Sequence, residues 1–410
     1  MTKRQRRFTA YRTALTLLTA LGSLAGAALS GAAPAEAAPR GRIAPGVVYE
    51  HFDIQVARGT AHGHLLRVDL TDPHVTLDLL HPGKVAGRAP LSQLARAQGA
   101  VAGVNGDFFN ISEAQHPGVE VTGAAVGPAV ASGRALKAAV PKGQRFGPAL
   151  PPGTSTRDVI GMGVDRRARL DDMALSGSVR TATGSFPLGG LNQYALPVNS
   201  VGAFTADWGS VSRVRATCGT DTNRAAPCSE DTHEVTVKDG RVVSWADDPG
   251  RGAIPAGTTV LVGREAGAAQ LRELVPGQPV KVLHELVAAA SKVAYRFAVG
   301  GYPVLTGGQP LPGLDDSAVA VRSAVGIAGG GKRVLLFSLD GGSAYRGLTV
   351  AEVAATLRKL GATDAFSLDG GGSSTLVARA PGASAPTVRN HPSGGAERAV
   401  PNGIGVFVTP

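Results

Sequence analysis

Ser338-Leu339-Asp340-Gly341-Gly342 recurs 29 residues later as Ser367-Leu368-Asp369-Gly370-Gly371. Each copy closes an apolar run, Val334–Phe337 in the first case and Ala365–Phe366 in the second. Between them, Thr349 and Glu352 have the spacing of a capping box. Val350, Val353, Ala354, Leu357 and Leu360 make one apolar stripe, and Gly361 stands where a helix commonly ends. The pattern predicts a β-α-β unit with parallel strands, so both Asp-Gly-Gly turns leave the same edge of a sheet. Ligands of open α/β sheets bind at that edge. If the strands are neighbours, ~4.8 Å apart, the two carboxylates fall roughly 5–10 Å from each other, a range used by paired carboxylates in glycoside hydrolysis. A single Asp-Gly is a common turn. Two identical pentapeptides across one helix are harder to explain as turns alone. Behind Asp369, Gly370-Gly371-Gly372-Ser373-Ser374 lets backbone approach a ligand and aligns N–H groups for an anion.

The rest of the chain reads as short strands punctuated by 56 glycines and 27 prolines among 410 residues. Strands are expected at Val47–Gln55, Gly63–Leu70 and Val75–Leu80, then a short helix at Ser92–Gln98 and a strand at Val101–Val104. Thr232–Val237 and Arg241–Trp245 flank Lys238-Asp239-Gly240, a hairpin signal. The fold class expected is mixed α+β: a β-rich domain with a C-terminal β-α-β unit that carries both Asp-Gly-Gly turns on one sheet edge. Residues 1–37 read as a signal peptide, 38–95 as an N-terminal β segment packing on the main domain, and 96–410 as that domain, with 110–290 its β-rich region.

The formal charge of +10 suggests a polyanion partner until its distribution is considered. Lys3, Arg4, Arg6, Arg7 and Arg12 precede an apolar run, and Ala35-Glu36-Ala37 fits a cleavage site, the layout of a secretory signal. Removal of residues 1–37 takes away those five basic residues and one acidic one, leaving +6, an ordinary value. Aromatic content of 5% argues against a stacking platform for nucleic acid. Neither a nucleic-acid partner nor stable membrane insertion is expected. The only cysteines, Cys218 and Cys228, read as a disulfide in an exported protein. Gly326 to Lys332 has the spacing of a phosphate loop, but Arg333 replaces the Ser/Thr and the segment joins two strands, so a hairpin turn is expected. His62-Gly63-His64 reads as strand histidines in preference to a metal site.

Several elements together resemble the phosphodiester glycosidase family. They are Arg322-Ser323-Ala324-Val325-Gly326, Gly347-Leu348-Thr349, Leu368-Asp369-Gly370-Gly371-Gly372-Ser373-Ser374 and Glu397-Arg398-Ala399-Val400-Pro401-Asn402. Upstream, Gly103-Val104-Asn105-Gly106-Asp107-Phe108-Phe109 is similar to an Asn-Gly-x-Phe-Phe element, and Gly300 to Leu305 to a Gly-Gly-x-Pro-x-Leu element. The resemblance implies a hydrolase that cuts between a sugar's anomeric carbon and a phosphodiester; with the secretory layout of residues 1–37, the expected setting is a cell-wall or extracellular polymer. Such a site stabilises an oxocarbenium-like carbon and a departing phosphate. Asp369 is then expected to face the anomeric carbon, with Asp340 as partner. Arg322 and Arg398 would clamp phosphate, as guanidinium matches it bidentately. Gly371, Gly372, Ser373 and Ser374 would donate to phosphate or sugar, and Asn105 and Asp107 would hold sugar hydroxyls. Asp107 departs from the small or aromatic residue many relatives carry. Glu397 and Asn402 serve the substrate or order the last loop. No cofactor is expected, although a divalent cation between Asp340 and Asp369 stays open. Two other readings stand: a non-catalytic binder of anionic or phosphorylated glycans, and a phosphodiesterase cutting the P–O bond. Sugar, aglycone, stereochemistry and oligomeric state are open.

Overall fold

In a computed structural model, the structure describes residues 40–342 and 347–409. The expected signal segment, 1–37, lies outside the described residues. β-Strands dominate, with three α-helices among the described residues, Leu91–Gln98, Ala266–Arg272 and Val350–Lys359.

The largest sheet has eight strands in the order Arg40–Ala44, Val47–Val56, Gly59–Asp69, Arg333–Leu339, Ser323–Ala328, Asp364–Ser367, Tyr302–Thr306 and Gln309–Pro310. Every neighbouring pair is antiparallel. The strands that precede the two Asp-Gly-Gly turns, Arg333–Leu339 and Asp364–Ser367, both pair antiparallel with Ser323–Ala328. They therefore run in the same direction, yet they are not neighbours. One strand separates them, which sets their backbones roughly 10 Å apart.

The connecting helix, Val350–Lys359, begins at a complete capping box. Thr349 Oγ1 accepts from the Glu352 amide at 3.2 Å, and Glu352 Oε2 accepts from the Thr349 amide at 2.9 Å. Val350, Val353, Ala354 and Leu357 are buried, so the apolar stripe faces the sheet side. The glycine-rich segment before Arg333 is a hairpin turn, with Gly329, Gly330 and Gly331 all at positive φ. That backbone suits glycine because L side chains rarely adopt it.

Strands from residues 38–95 share sheets with the C-terminal strands. Gly59–Asp69 pairs with Arg333–Leu339, and Val75–Leu80 pairs with Gly403–Val408. That second sheet continues through Ala102–Asn105, Leu376–Arg379 and Pro386–Val388. Residues 110–290 build a seven-stranded sheet with strand Tyr295–Gly300 and a separate five-stranded sheet that holds the Thr232–Lys238/Arg241–Ala246 hairpin. Cys218 and Cys228 form a disulfide.

Candidate active site

Asp369 follows the strand Asp364–Ser367 and is fixed through its backbone. Asn105 Nδ2 donates to the Asp369 carbonyl at 2.7 Å, and the Asp369 amide donates to the Gly106 carbonyl at 2.9 Å. Asn105 is fully buried, and its Oδ1 accepts from Ser323 Oγ and the Thr375 amide. It is thus a positioning residue whose polar atoms are already used. Asn402 braces the neighbouring residues in a similar way, since its Oδ1 accepts from the Asp107 amide and its carbonyl from the Gly106 amide. A Cβ on Gly106 would collide with Asn402, which explains the glycine.

These contacts bring Asp107 and Asp369 into one electrostatic neighbourhood. Burial pushes the Asp369 carboxyl up to about 6, against the pull of Ser373 and Arg398, and Asp107 pushes it the same way. Burial likewise raises Asp107 to about 6, opposed by the Gly127 amide, Lys137 and Arg145. Asp107 Oδ2 accepts from the Gly127 amide at 2.5 Å in a slot between Gly127 and Gly300, where side chains would collide with the carboxylate or facing backbone.

Cations surround the pair. Arg398 Nη1 reaches Ser373 Oγ at 3.3 Å and lies across Gly372, where a Cβ would meet the guanidinium. Arg145 is buried, with its guanidinium 4.3 Å above the Phe108 ring and 5.6 Å from the Tyr302 ring centroid. Burial lowers its pKa, while Asp107 and Asp369 both favour its charge. Lys137 is buried and spent on the Val126, Gly127 and Ala138 carbonyls; burial lowers it to about 7.

Arg145 is held in place by the disulfide-closed loop. Arg224 Nη1 donates to the Arg145 carbonyl at 2.6 Å, the Gly143 amide donates to the Asp221 carbonyl, and Gln144 Nε2 donates to the Thr220 carbonyl. Four of the eight buried side-chain polar atoms that lack a partner among the described residues fall in this region: Asp107 Oδ1, Arg145 Nη2, Ser374 Oγ and Thr375 Oγ1. Buried polar atoms are rarely left unpaired, so their clustering marks a place for polar ligand groups.

The expected site residues thus divide. Asp369, Asp107, Ser373, Ser374, Gly371, Gly372 and Arg398 come together, with Asn105 and Asn402 behind them. Arg322 lies beside Gly370, its Cδ 3.8 Å from where a Cβ there would stand, but its guanidinium turns to backbone: Nε donates to the Leu348 carbonyl at 3.1 Å and Nη2 to the Ala318 carbonyl at 2.7 Å. Glu397 accepts from the Ser92 amide in the first turn of the Leu91–Gln98 helix, a capping role. Asp340 keeps different company. Burial alone would raise it, but His64 Nε2 at 2.8 Å and the His391 amide at 2.6 Å hold its carboxyl down at about 2. Sequence patterns did not single out Arg145, Lys137 or Tyr302. Tyr302 lies inside the Gly-Gly-x-Pro-x-Leu element, whereas Arg145 sits in a loop with no motif.

Residues 229–407 match the family model described as phosphodiester glycosidase, which bears out the resemblance read from the sequence. None of the curated proteins matches the chain. Among solved structures it is similar to a hypothetical protein from Synechocystis, at 20% identity and TM-score 0.69, covering 92% of this chain and 65% of that one. It is also similar to a putative exported protein from Burkholderia pseudomallei, at 24% identity and TM-score 0.63, covering 85% and 74%. The catalytic domain of zebrafish N-acetylglucosamine-1-phosphodiester α-N-acetylglucosaminidase, auto-inhibited by its pro-peptide, matches at 15% identity and TM-score 0.42, covering 92% and 87%. The first two share the fold, and this chain spans about two-thirds of the Synechocystis protein's length. Among the described residues no helix is long and apolar enough to cross a membrane.

Proposed function

We propose that the protein is an exported hydrolase that cleaves the bond between a sugar's anomeric carbon and a phosphodiester oxygen. The observation that carries this reading is the meeting of two carboxyls, buried Asp107 and half-buried Asp369, with Arg145 and Arg398 facing them. The family match over residues 229–407 supports the same chemistry.

Phosphate is already a good leaving group, so the demand on the protein is charge stabilisation more than strong acid assistance. Asp369 faces the anomeric carbon and stabilises its developing positive charge, as nucleophile or as base for water. Asp107 replaces Asp340 as its carboxylate partner, because Asp107 acts on Asp369 through space while Asp340 Oδ1 is held by His64 and the His391 amide. Arg398, Arg145 and the Gly372 amide receive the departing phosphate, with the Ser374 hydroxyl as a further donor; the Gly371 amide is taken by the Val321 carbonyl at 2.8 Å. Burial of the two acids keeps a proton within reach of the leaving oxygen near pH 6.

Export rests on the secretory layout of residues 1–37, the disulfide, and the likeness to an exported protein. The test is hydrolysis of a panel of synthetic sugar-1-phosphodiesters in ¹⁸O-water. Label in the sugar, and loss of turnover in Asp369→Asn, are the expected results. Label in the phosphate identifies P–O cleavage instead, and glycan binding without any product identifies a non-catalytic binder.

A further inference from the structure

A second cluster gathers at the other Asp-Gly-Gly turn. In the hairpin Val47–Val56/Gly59–Asp69, His51 stands directly opposite His64. The next strand pairs Ser338 with His64, which carries Asp340, two residues on, to the same place. His64 Nε2 lies 2.8 Å from Asp340 Oδ1, and the His51 and His64 rings have centroids 4.8 Å apart. One ligating atom from each of His51, His64 and Asp340 falls within 4.8 Å of the others. His64 and Asp340 are buried, whereas His51 is half-buried and its ring makes no hydrogen bond among the described residues.

We propose that His51, His64 and Asp340 form a binding site for a zinc-type divalent transition-metal ion, separate from the Asp107–Asp369 site. Two imidazoles and one carboxylate suit such an ion and not calcium or magnesium, which take oxygen ligands. Zn–N and Zn–O bonds of about 2.0–2.2 Å place two tetrahedral donors roughly 3.3 Å apart. The 2.8 Å contact between His64 and Asp340 therefore opens by only about half an ångström to admit the ion. The ion takes the place of the proton between them, which leaves to solvent.

The outer shell is already built for that exchange. Tyr49 Oη lies 2.8 Å from His64 Nδ1, so once Nε2 binds metal, Nδ1–H donates to the phenol oxygen. Metal-bound histidines ordinarily use their second nitrogen this way. The His391 amide braces the Asp340 oxygen at 2.6 Å. His51 is the decisive member: the His64–Asp340 hydrogen bond is complete without it, and a third donor facing a satisfied pair is explained by an ion. The half-buried side of His51 provides entry, and a water completes the fourth position. The ion would tie three consecutive strands together. Asn390, next to His391, donates to both the Leu339 and Ser374 carbonyls, which connects this corner to the Ser373-Ser374 turn.

The test titrates Zn²⁺ into the chelator-treated full-length protein by calorimetry, with Co²⁺ as a spectroscopic substitute. The expected result is one saturable equivalent, a four-coordinate Co²⁺ spectrum, and a Tm rise of roughly 2–4 °C at saturating Zn²⁺. His51→Ala, at a half-exposed position compatible with folding, weakens binding by about tenfold or more. His74→Ala, at an exposed histidine elsewhere, and Asp369→Asn leave binding unchanged. Absence of a saturable equivalent, or equal affinity in His51→Ala, overturns the proposal.

Discussion

The two copies of Ser-Leu-Asp-Gly-Gly end strands that run in the same direction in the same sheet, yet their aspartates differ in chemistry. Asp340 is drawn down to about 2 by His64 and the His391 amide, while burial raises Asp369 to about 6. Asp369 borders Asp107 and two arginines, whereas Asp340 borders imidazoles. The difference teaches that a turn sequence places a carboxylate and the chain folded against it decides what that carboxylate does.

Activity separates the two most widely. On a sugar-1-phosphodiester, Asp369→Asn is expected to lower kcat by about 10³, within the range for loss of a positioned acid, base or charge stabiliser. Asp340→Asn should change kcat by less than about tenfold. Equal losses in steady-state assays would break the division of labour. The arginines sharpen it: Arg145→Ala is expected to lower kcat/KM by about 10², as for loss of one charge-stabilising donor. Arg322→Lys, at a guanidinium occupied by backbone carbonyls, should lower Tm and leave kcat/KM within about threefold.

Stability reverses the sign between the two turns. A carboxyl raised from 3.8 to about 6 favours the fold only while protonated, and that contribution is lost as pH rises from about 3.8 through 6. Asp369→Asn should therefore stabilise the protein at pH 7.5, by up to about 3 kcal/mol at 1.36 kcal/mol per pK unit. The gain should shrink below about 1 kcal/mol at pH 4. Asp340, depressed from 3.8 to about 2, contributes above its ordinary value and loses that contribution only as pH falls toward 2. Asp340→Asn should then cost about 2 kcal/mol at both pH 7.5 and pH 4. Urea melts of both variants at the two pH values check the crossing, and parallel behaviour would refute it. A smaller effect on catalysis than that of Arg145→Ala is expected at the disulfide. Cys218→Ser with Cys228→Ser should cost about 2–3 kcal/mol for so short a closed loop. Catalytic efficiency should fall several-fold as Arg224, Thr220 and Asp221 release the segment of Arg145.

Much of the local structure was legible from neighbours in sequence. The capping box at Thr349 and Glu352, the buried stripe of the helix, the Asp239-Gly240 hairpin and the turn before Arg333 all depend on short-range geometry. Some of the site was legible as well, because Asp369 and the glycines behind it are contiguous. The adjacency of the two turn-bearing strands was not, since Ser323–Ala328 enters between them from earlier in the chain. Nor was Arg145 legible: its contacts are with Phe108, Tyr302 and the loop near Arg224, distant or unmarked by any motif. His64 reads in the sequence as a strand histidine, and only the hairpin register sets it opposite His51 and beside Asp340.

By itself the sequence determined the periodic elements, the turns and the positions of both aspartates, because propensity, capping and glycine backbone freedom act over a few residues. Only the tertiary structure decided which carboxyl lies near another acid and which is hydrogen-bonded by an imidazole and a backbone amide. Desolvation and Coulomb interaction depend on distance through space, and the residues that supply them here come from strands and loops hundreds of positions apart.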